Sequence, residues 1–162
     1  MAACFHSHAI MSNDSTNYTI RLGDWATLGP DASAIRFEVF VDEQKVPAEI
    51  ELDEMDAVCL HAVAYDNAGN AIGTGRLLPD GHIGRMAVRL PGRGTGVGGA
   101  ILQLIMEKAR ERGDAAVVLN AQTVAAPFYA RHGFVQQGEE FDEAGIAHIE
   151  MRLVLGSDPR DC

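Results

Sequence analysis

The chain has 162 residues and a mass of 17.4 kDa, room for one domain and not for two. Thirteen Lys and Arg against 23 Asp and Glu leave a formal net charge of −10. That argues against a nucleic-acid partner, whose phosphates need cations to neutralise them, and against a membrane partner, whose anionic surface attracts basic patches. With 47 % hydrophobic residues it can build a packed core.

The N-terminal stretch has no basic region followed by an apolar run, so no signal peptide is read there. No run approaches the roughly 18 apolar residues of a membrane span. Residues 1–16 and 156–162 read as flexible tails around a domain at 17–155. Within it, Tyr18, Ile20 and Leu22 alternate with polar residues as a first strand. Pro30 and Asp31 predict a helix start, with Ser33 as a second cap. Ile35, Val39, Phe40 and Val41 form its buried stripe to about Gln44, and Pro47 breaks it. The carboxylate-rich stretch 48–56 reads as a loop.

Three apolar runs, 58–65, 71–78 and 82–89, are joined by turns at Asp66–Asn70 and Pro79–Gly81, which predicts an antiparallel meander. A glycine-rich run from Pro91 to Gly99 leads into a helix at 100–112, with Ile101, Leu104, Ile105 and Ala109 at helical spacing and Gly113 closing it. A short strand at 115–121 follows, then a helix at 124–132 with Pro127 in its first turn. A hairpin of 134–137 and 146–155 about a turn at 142–145 ends the domain. The order β-α-βββ-α-β-α-ββ is a mixed α+β fold around one sheet.

Cys4, Cys59 and Cys162 are odd in number and widely spaced, which excludes a zinc ribbon or thioredoxin-like pair and fits a reduced, cytoplasmic compartment. None of the six histidines has a metal-ligand spacing, and the 51–56 carboxylates lack the spacing and glycine of an EF-hand, so no metal is expected.

The glycine loop carries the chemistry. Glycines let backbone N–H groups approach an anion, and a helix N-terminus adds unsatisfied donors and partial positive charge. Gly94-x-Gly96-x-x-Gly99 formally satisfies the dinucleotide fingerprint, but the next strand ends Leu119-Asn120-Ala121, without the carboxylate a ribose needs. A P-loop GxxxxGK[ST] is absent as well.

Arg93-Gly94-Thr95-Gly96-Val97-Gly98 matches the acyl-CoA signature [QR]-x-x-G-x-[GA], and the element order agrees with it. The chain resembles the GCN5-related N-acetyltransferase (GNAT) superfamily over roughly residues 18–155. Phe128-Tyr129-Ala130-Arg131-His132-Gly133-Phe134 is similar to its FY-x-x-x-GF helix. Three segments are similar to the ElaA-like branch: Val39-Phe40-Val41-Asp42-Glu43-Gln44-Lys45-Val46-Pro47, Glu51-Leu52-Asp53-Glu54-Met55-Asp56 and Gly145-Ile146-Ala147-His148-Ile149-Glu150-Met151.

The resemblance implies the GNAT acyl-CoA N-acyltransferase fold with a splayed central sheet, and acetyl-CoA as co-substrate. Amides of Arg93, Gly94, Thr95, Gly96, Val97, Gly98 and Gly99 would hold the pyrophosphate. The backbone of Met86, Ala87 and Val88 would pair with the pantetheine arm, with Asn120 and Phe128 beside it. Tyr129 would protonate the leaving thiolate, worth ~10²–10⁴-fold for a general acid. Gln122 stands where many members carry Asn.

From Glu38 to Asp56 eight carboxylates face one cation, Lys45, while Arg85, Arg89 and Arg93 cluster near the glycine loop. This suggests a cationic end for CoA and an acidic wall for a protonated amine. Glu43, Glu51 and Asp53 are its candidate substrate-binding residues; the resemblance to the ElaA-like branch adds Arg76, as a site residue or a partner for the acidic loop, and His148, as a contact for the substrate or a catalytic water. The expected partner is a small-molecule or peptide amine, and a homodimer is an open expectation. The alternatives are a non-catalytic acyl-CoA sensor and a dinucleotide-binding oxidoreductase.

Overall fold

The computed structural model describes residues 11–12, 17–51 and 53–156. Strands β1 (Met11–Ser12), β2 (Tyr18–Gly23), β3 (Leu60–Asp66), β4 (Ala71–Leu77) and β5 (Ile83–Val88) form an antiparallel sheet in chain order. Strands β6 (Ala116–Gln122), β7 (Val135–Glu143) and β8 (Ile146–Val154) form a second sheet in the order β6-β8-β7. The two meet at a parallel bridge between His82 and Val118, beyond which β5 and β6 diverge. The meander, the final hairpin and the splay all match expectation. The short strand β1 pairs with Thr19 and Ile20, within the stretch read as a tail; the other tail residues, apart from Gly156, lie outside the described residues.

Helix α1 (Trp25–Arg36) covers one face of the larger sheet and α3 (Val97–Glu111) the other. Ile101, Leu102, Ile105 and Met106 of α3 pack with Ala62, Ala64 and Leu77, while Leu28, Ala32 and Ile35 of α1 pack with Val63 and Ala87. Being covered twice, β4 is buried from Ile72 to Leu77 and reads as a run rather than an alternation. Strand β7 is an exposed edge, and its Glu139, Glu140 and Asp142 discourage strand addition there.

Two expectations are corrected. The first helix starts at Trp25, not at Pro30. Its N-cap is Asp24, whose side chain accepts from the Thr27 N–H at 2.9 Å. Pro30 sits inside it, forgoing one backbone bond, and Gly29 is there because a Cβ would lie 2.9 Å from the Trp25 indole. Beyond Arg36 the helix widens into a π-helix, Phe37–Glu43. The second correction concerns the acidic stretch. It is not loop but α2 (Ala48–Glu51) and a 3₁₀ turn (Glu54–Val58), capped by the Asp53 carboxylate accepting from the Met55 N–H.

Candidate functional site

The diverging β5 and β6 leave a cavity of about 930 Å³. Its walls include Met86, Ala87 and Val88 of β5, Leu119, Asn120 and Gln122 of β6, and Phe128 and Tyr129 of α4 (Ala126–Arg131). The π-helix adds Phe40 and Glu43, and the β7–β8 hairpin adds Glu143, Ile146 and His148. A second cavity, about 730 Å³, lies over the glycine loop and is lined by Gly94, Gly96, Gly98 and Gly99 with Gln103, Arg131 and His132. Val88, Arg93 and Phe128 line both, so the two form one path.

The β5 wall offers a strand edge. The Arg89 N–H donates to the Ile72 carbonyl on the β4 side, so by alternation the amides of Val88 and Met86 face the opening. Thr74 pairs with Ala87 and Arg76 with Gly84, so Arg85 and Met86 together oppose Gly75 in a bulge. Arg85 takes a left-handed conformation there (φ +51°). Nothing in the local sequence announced this bulge.

The glycine loop fits an anion. Gly94 (φ +80°) and Gly96 (φ +87°) turn left-handed, with open space where a Cβ would stand. Gly96 is the N-cap of α3 and leaves that helix's first N–H groups unpaired by any side chain. Val97 contributes only backbone, being buried in the core, and the Thr95 hydroxyl turns back to donate to the Gly92 carbonyl. Gly96→Val would place a β-branched residue where left-handed backbone costs ~1–2 kcal/mol. A roughly tenfold weaker acetyl-CoA dissociation constant in calorimetric titration is the expected result.

Tyr129 is buried in the wall of the larger cavity, edge-on to Phe128, which lines both cavities, at 5.0 Å and to Phe134 at 5.9 Å. Burial pushes its phenol up to about 12. It therefore holds its proton at any working pH.

The charge layout differs from expectation. No cationic end stands apart from an acidic wall, because the two interlock. Arg36 Nε donates to Glu51 at 2.6 Å and its Nη atoms to both Asp56 oxygens at 2.8 and 3.1 Å. Arg76 donates to Asp53 at 2.7 Å and to Asp56 at 2.8 Å. Arg85 reaches Asp53 at 3.3 Å, Arg89 binds Glu38 at 3.0 Å, and Arg93 binds Glu43 at 2.6 Å and the Val88 carbonyl at 2.8 Å. Glu51 and Arg76 do face the cavity but are buried and paired, and Asp53 is not part of its lining. Acidic residues close in sequence lie here beside arginines that are distant in it, which composition cannot register.

Residues the sequence reading passed over include Arg36, Arg131 and Gln44. The carboxamides of Gln44 and Gln122 exchange hydrogen bonds of 2.8 and 3.4 Å, joining the π-helix end to β6 across the cavity. Gln122 is thus tied to the protein, as its length beyond an Asn allows. Replacing Gln44 by Ala should widen this end, raising KM for the acceptor more than for acetyl-CoA in initial-rate kinetics.

A family model described as an acetyltransferase (GNAT) domain matches residues 28–155. The chain is 43 % identical over 125 residues to the uncharacterised N-acetyltransferase YjcF of Bacillus subtilis, covering 75 % of this chain and 89 % of that one. Among solved structures it is similar to an acyl-CoA N-acyltransferase from Pseudomonas aeruginosa (32 % identity, TM-score 0.73, 82 % and 97 % of the two chains). It is also similar to ElaA of Escherichia coli (27 %, TM-score 0.70, 78 % and 89 %). The chain belongs to the GNAT acetyltransferase family. It is an acyltransferase of the class that uses acyl-CoA as co-substrate.

Proposed function

We propose that the protein transfers the acetyl group of acetyl-CoA to an amine by direct attack in a ternary complex. The observation that carries this reading is the continuous path from the glycine loop to the cavity between β5 and β6, with Tyr129 in the wall of the latter. Amides of the loop and the N-terminus of α3 face the first part, and Arg93 and Arg131 supply charge there. Arg93 would offer a phosphate the N–H groups that Glu43 and the Val88 carbonyl do not use. Amides of Met86 and Val88 would pair with the pantetheine arm, and one of them would donate to the carbonyl oxygen as it becomes an oxyanion.

Tyr129 is assigned as a donor to the departing sulfur. Its phenol stands at about 12, so full transfer to a thiolate of ordinary basicity is uphill by roughly three orders of magnitude. The hydrogen bond stabilises developing charge, and the nitrogen of the adduct, acidic once its N–C bond forms, supplies the proton. Among the carboxylates facing the cavity, Glu143 has no ion-pair partner in the described residues, whereas Glu43 and Glu51 do. An acceptor with one ammonium suits this lining; a polycation is not required. The free thiol Cys59 is buried, consistent with a reducing compartment and cytoplasmic action.

The test is incubation with acetyl-CoA and spermidine, glucosamine, lysine or a peptide with a free N-terminus, following thiol release. Thiol release dependent on an amine supports transfer. Tight acetyl-CoA binding without turnover would assign a sensor, and NAD(P)H binding without CoA binding would overturn the reading.

A further inference from the structure

We propose that His148 is the general base that takes the acceptor's ammonium proton, an assignment resting on the acyl-transfer reading above. His148 is buried in β8 (7 % exposed) yet lines the cavity. Its Nδ1 lies 2.7 Å from the Ile146 carbonyl oxygen. A carbonyl only accepts, so Nδ1 carries the hydrogen and, in the neutral ring, Nε2 presents a bare lone pair. Nε2 has no hydrogen-bond partner among the described residues. The ring is held by stacking on Phe141, centroids 6.0 Å apart and planes 26° apart. One nitrogen is anchored and the other left free, an arrangement that suits a base rather than a structural histidine.

The position agrees with that role. Ile149 and Met151 of β8 join the core that contains Tyr129, so His148, one residue out of phase, projects from the opposite face of the sheet. It is in register with Gln122, the residue clasped by Gln44. Donor and base thus stand on opposite faces of β8 and β6, at the line where β6 parts from β5. The thiol leaves on one side and the amine arrives from the other.

The remaining titratable groups facing the cavity, Glu143 apart, are engaged or hold their protons. Glu51, Arg76 and Arg85 belong to the ion-pair network, Glu43 holds Arg93, and His82 lies 3.0 Å from Asp80. Tyr129 keeps its proton. Glu143, exposed at the tip of the β7–β8 hairpin, is the one carboxylate alternative.

In the step proposed, Nε2 takes one proton from the ammonium, and the freed nitrogen lone pair forms the N–C bond to the thioester carbonyl carbon. The C–S bond then breaks with its electron pair going to sulfur, and a second nitrogen proton passes to that sulfur. His148 returns its proton to water, so the sum is ammonium plus thioester giving amide, thiol and one proton.

The experiment measures kcat/KM against pH for the wild type, His148→Gln and Glu143→Gln, using whichever amine of the panel gives turnover. The wild type should show a plateau between the ionisation of one enzyme group and that of the amine. His148→Gln should lose ~10²–10³-fold at neutral pH. Its plateau should become a line of unit slope rising to the amine's own pKa, with the acetyl-CoA dissociation constant unchanged. Glu143→Gln should keep the plateau. Ring ¹⁵N shifts, assigned by the signal missing in His148→Gln, should show the Nδ1–H tautomer. An unaltered rate and plateau in His148→Gln, loss of the plateau in Glu143→Gln, or an Nε2–H ring would each overturn the assignment. If the Gln variant does not fold, His148→Asn and the wild-type ring titration decide on the same criteria. A wild type that binds no acetyl-CoA, or releases no thiol with any amine, refutes acyl transfer itself and this assignment with it.

Discussion

Tyr129→Phe is expected to lower kcat ~10²-fold while acetyl-CoA affinity changes less than twofold, read by initial rates and by equilibrium titration. The substitution removes one oxygen and leaves the packing of the ring against Phe128 and Phe134 in place. What is lost is a donor aimed at charge that develops on sulfur, and a single preorganised donor of that kind is worth ~10²–10³-fold. Because the phenol is pushed up to about 12 by burial, its own ionisation should impose no fall in rate up to about pH 10. A decline near neutral pH that disappears in Tyr129→Phe would show instead that the phenol ionises in the working range. Equal rates for the two proteins would remove Tyr129 from the reaction.

The second large effect concerns stability. Arg36→Ala should lower the unfolding free energy by ~3–5 kcal/mol, the usual consequence of leaving buried carboxylates unpaired. For a chain of this size that is roughly 10 °C in Tm. Arg36 is 1 % exposed, lies 5.3 Å from the Trp25 ring centre, and joins Glu51 and Asp56, which are 4 % and 3 % exposed. Lysine should not restore the loss, because it lacks the planar fork that serves two carboxylates at once.

The same network sets the response to acid. A hydrogen bond from Arg76 holds the Asp53 carboxyl down at about 2. Burial would raise Asp56, but the hydrogen bonds and charges of Arg36 and Arg76 outweigh it and hold it below its ordinary value. Both groups are more acidic folded than unfolded. Their contribution is therefore complete above the ordinary carboxylate pKa, ~4, and is lost as pH falls from there towards 2. Thermal melts between pH 5 and 2 should fall steeply for the wild type and less steeply for Arg36→Ala. Asp53 is partly solvated, so its share is the smaller. A pH dependence unchanged by the substitution would show that the network does not set acid stability.

The observed ion pairs also replace an expectation drawn from charge. Eight carboxylates between Glu38 and Asp56, on the first helix and the stretch after it, suggested a surface for attracting cations. In the fold, five of the eight are paired with arginines, namely Glu38, Glu43, Glu51, Asp53 and Asp56. Alanine replacements across Glu51–Asp56 would consequently unsettle the packing of α1 on the sheet before they changed affinity for an amine.

The amino-acid sequence determined the element order, the glycine loop and the family, because each is written in short-range terms. Strand alternation, helical spacing and the left-handed turns at Gly94 and Gly96 depend on neighbours within a few residues. The first helix shows the limit of such reading: Gly29 and Pro30 resemble a boundary, and only the Trp25 ring lying against Gly29 explains their place inside it. What tertiary structure alone decided is the electrostatics of the site. Arg93 meets Glu43 and Arg89 meets Glu38 across 50 and 51 residues of chain, and Arg36 finds Asp56 across 20. The free Nε2 of the His148 ring likewise depends on which carbonyl its other nitrogen meets and on which face of the sheet it projects from. A charge in sequence has a sign but no partner. Folding supplies the partner, because burial in a low-dielectric core leaves an ion stable only where an opposite charge or a hydrogen bond awaits it.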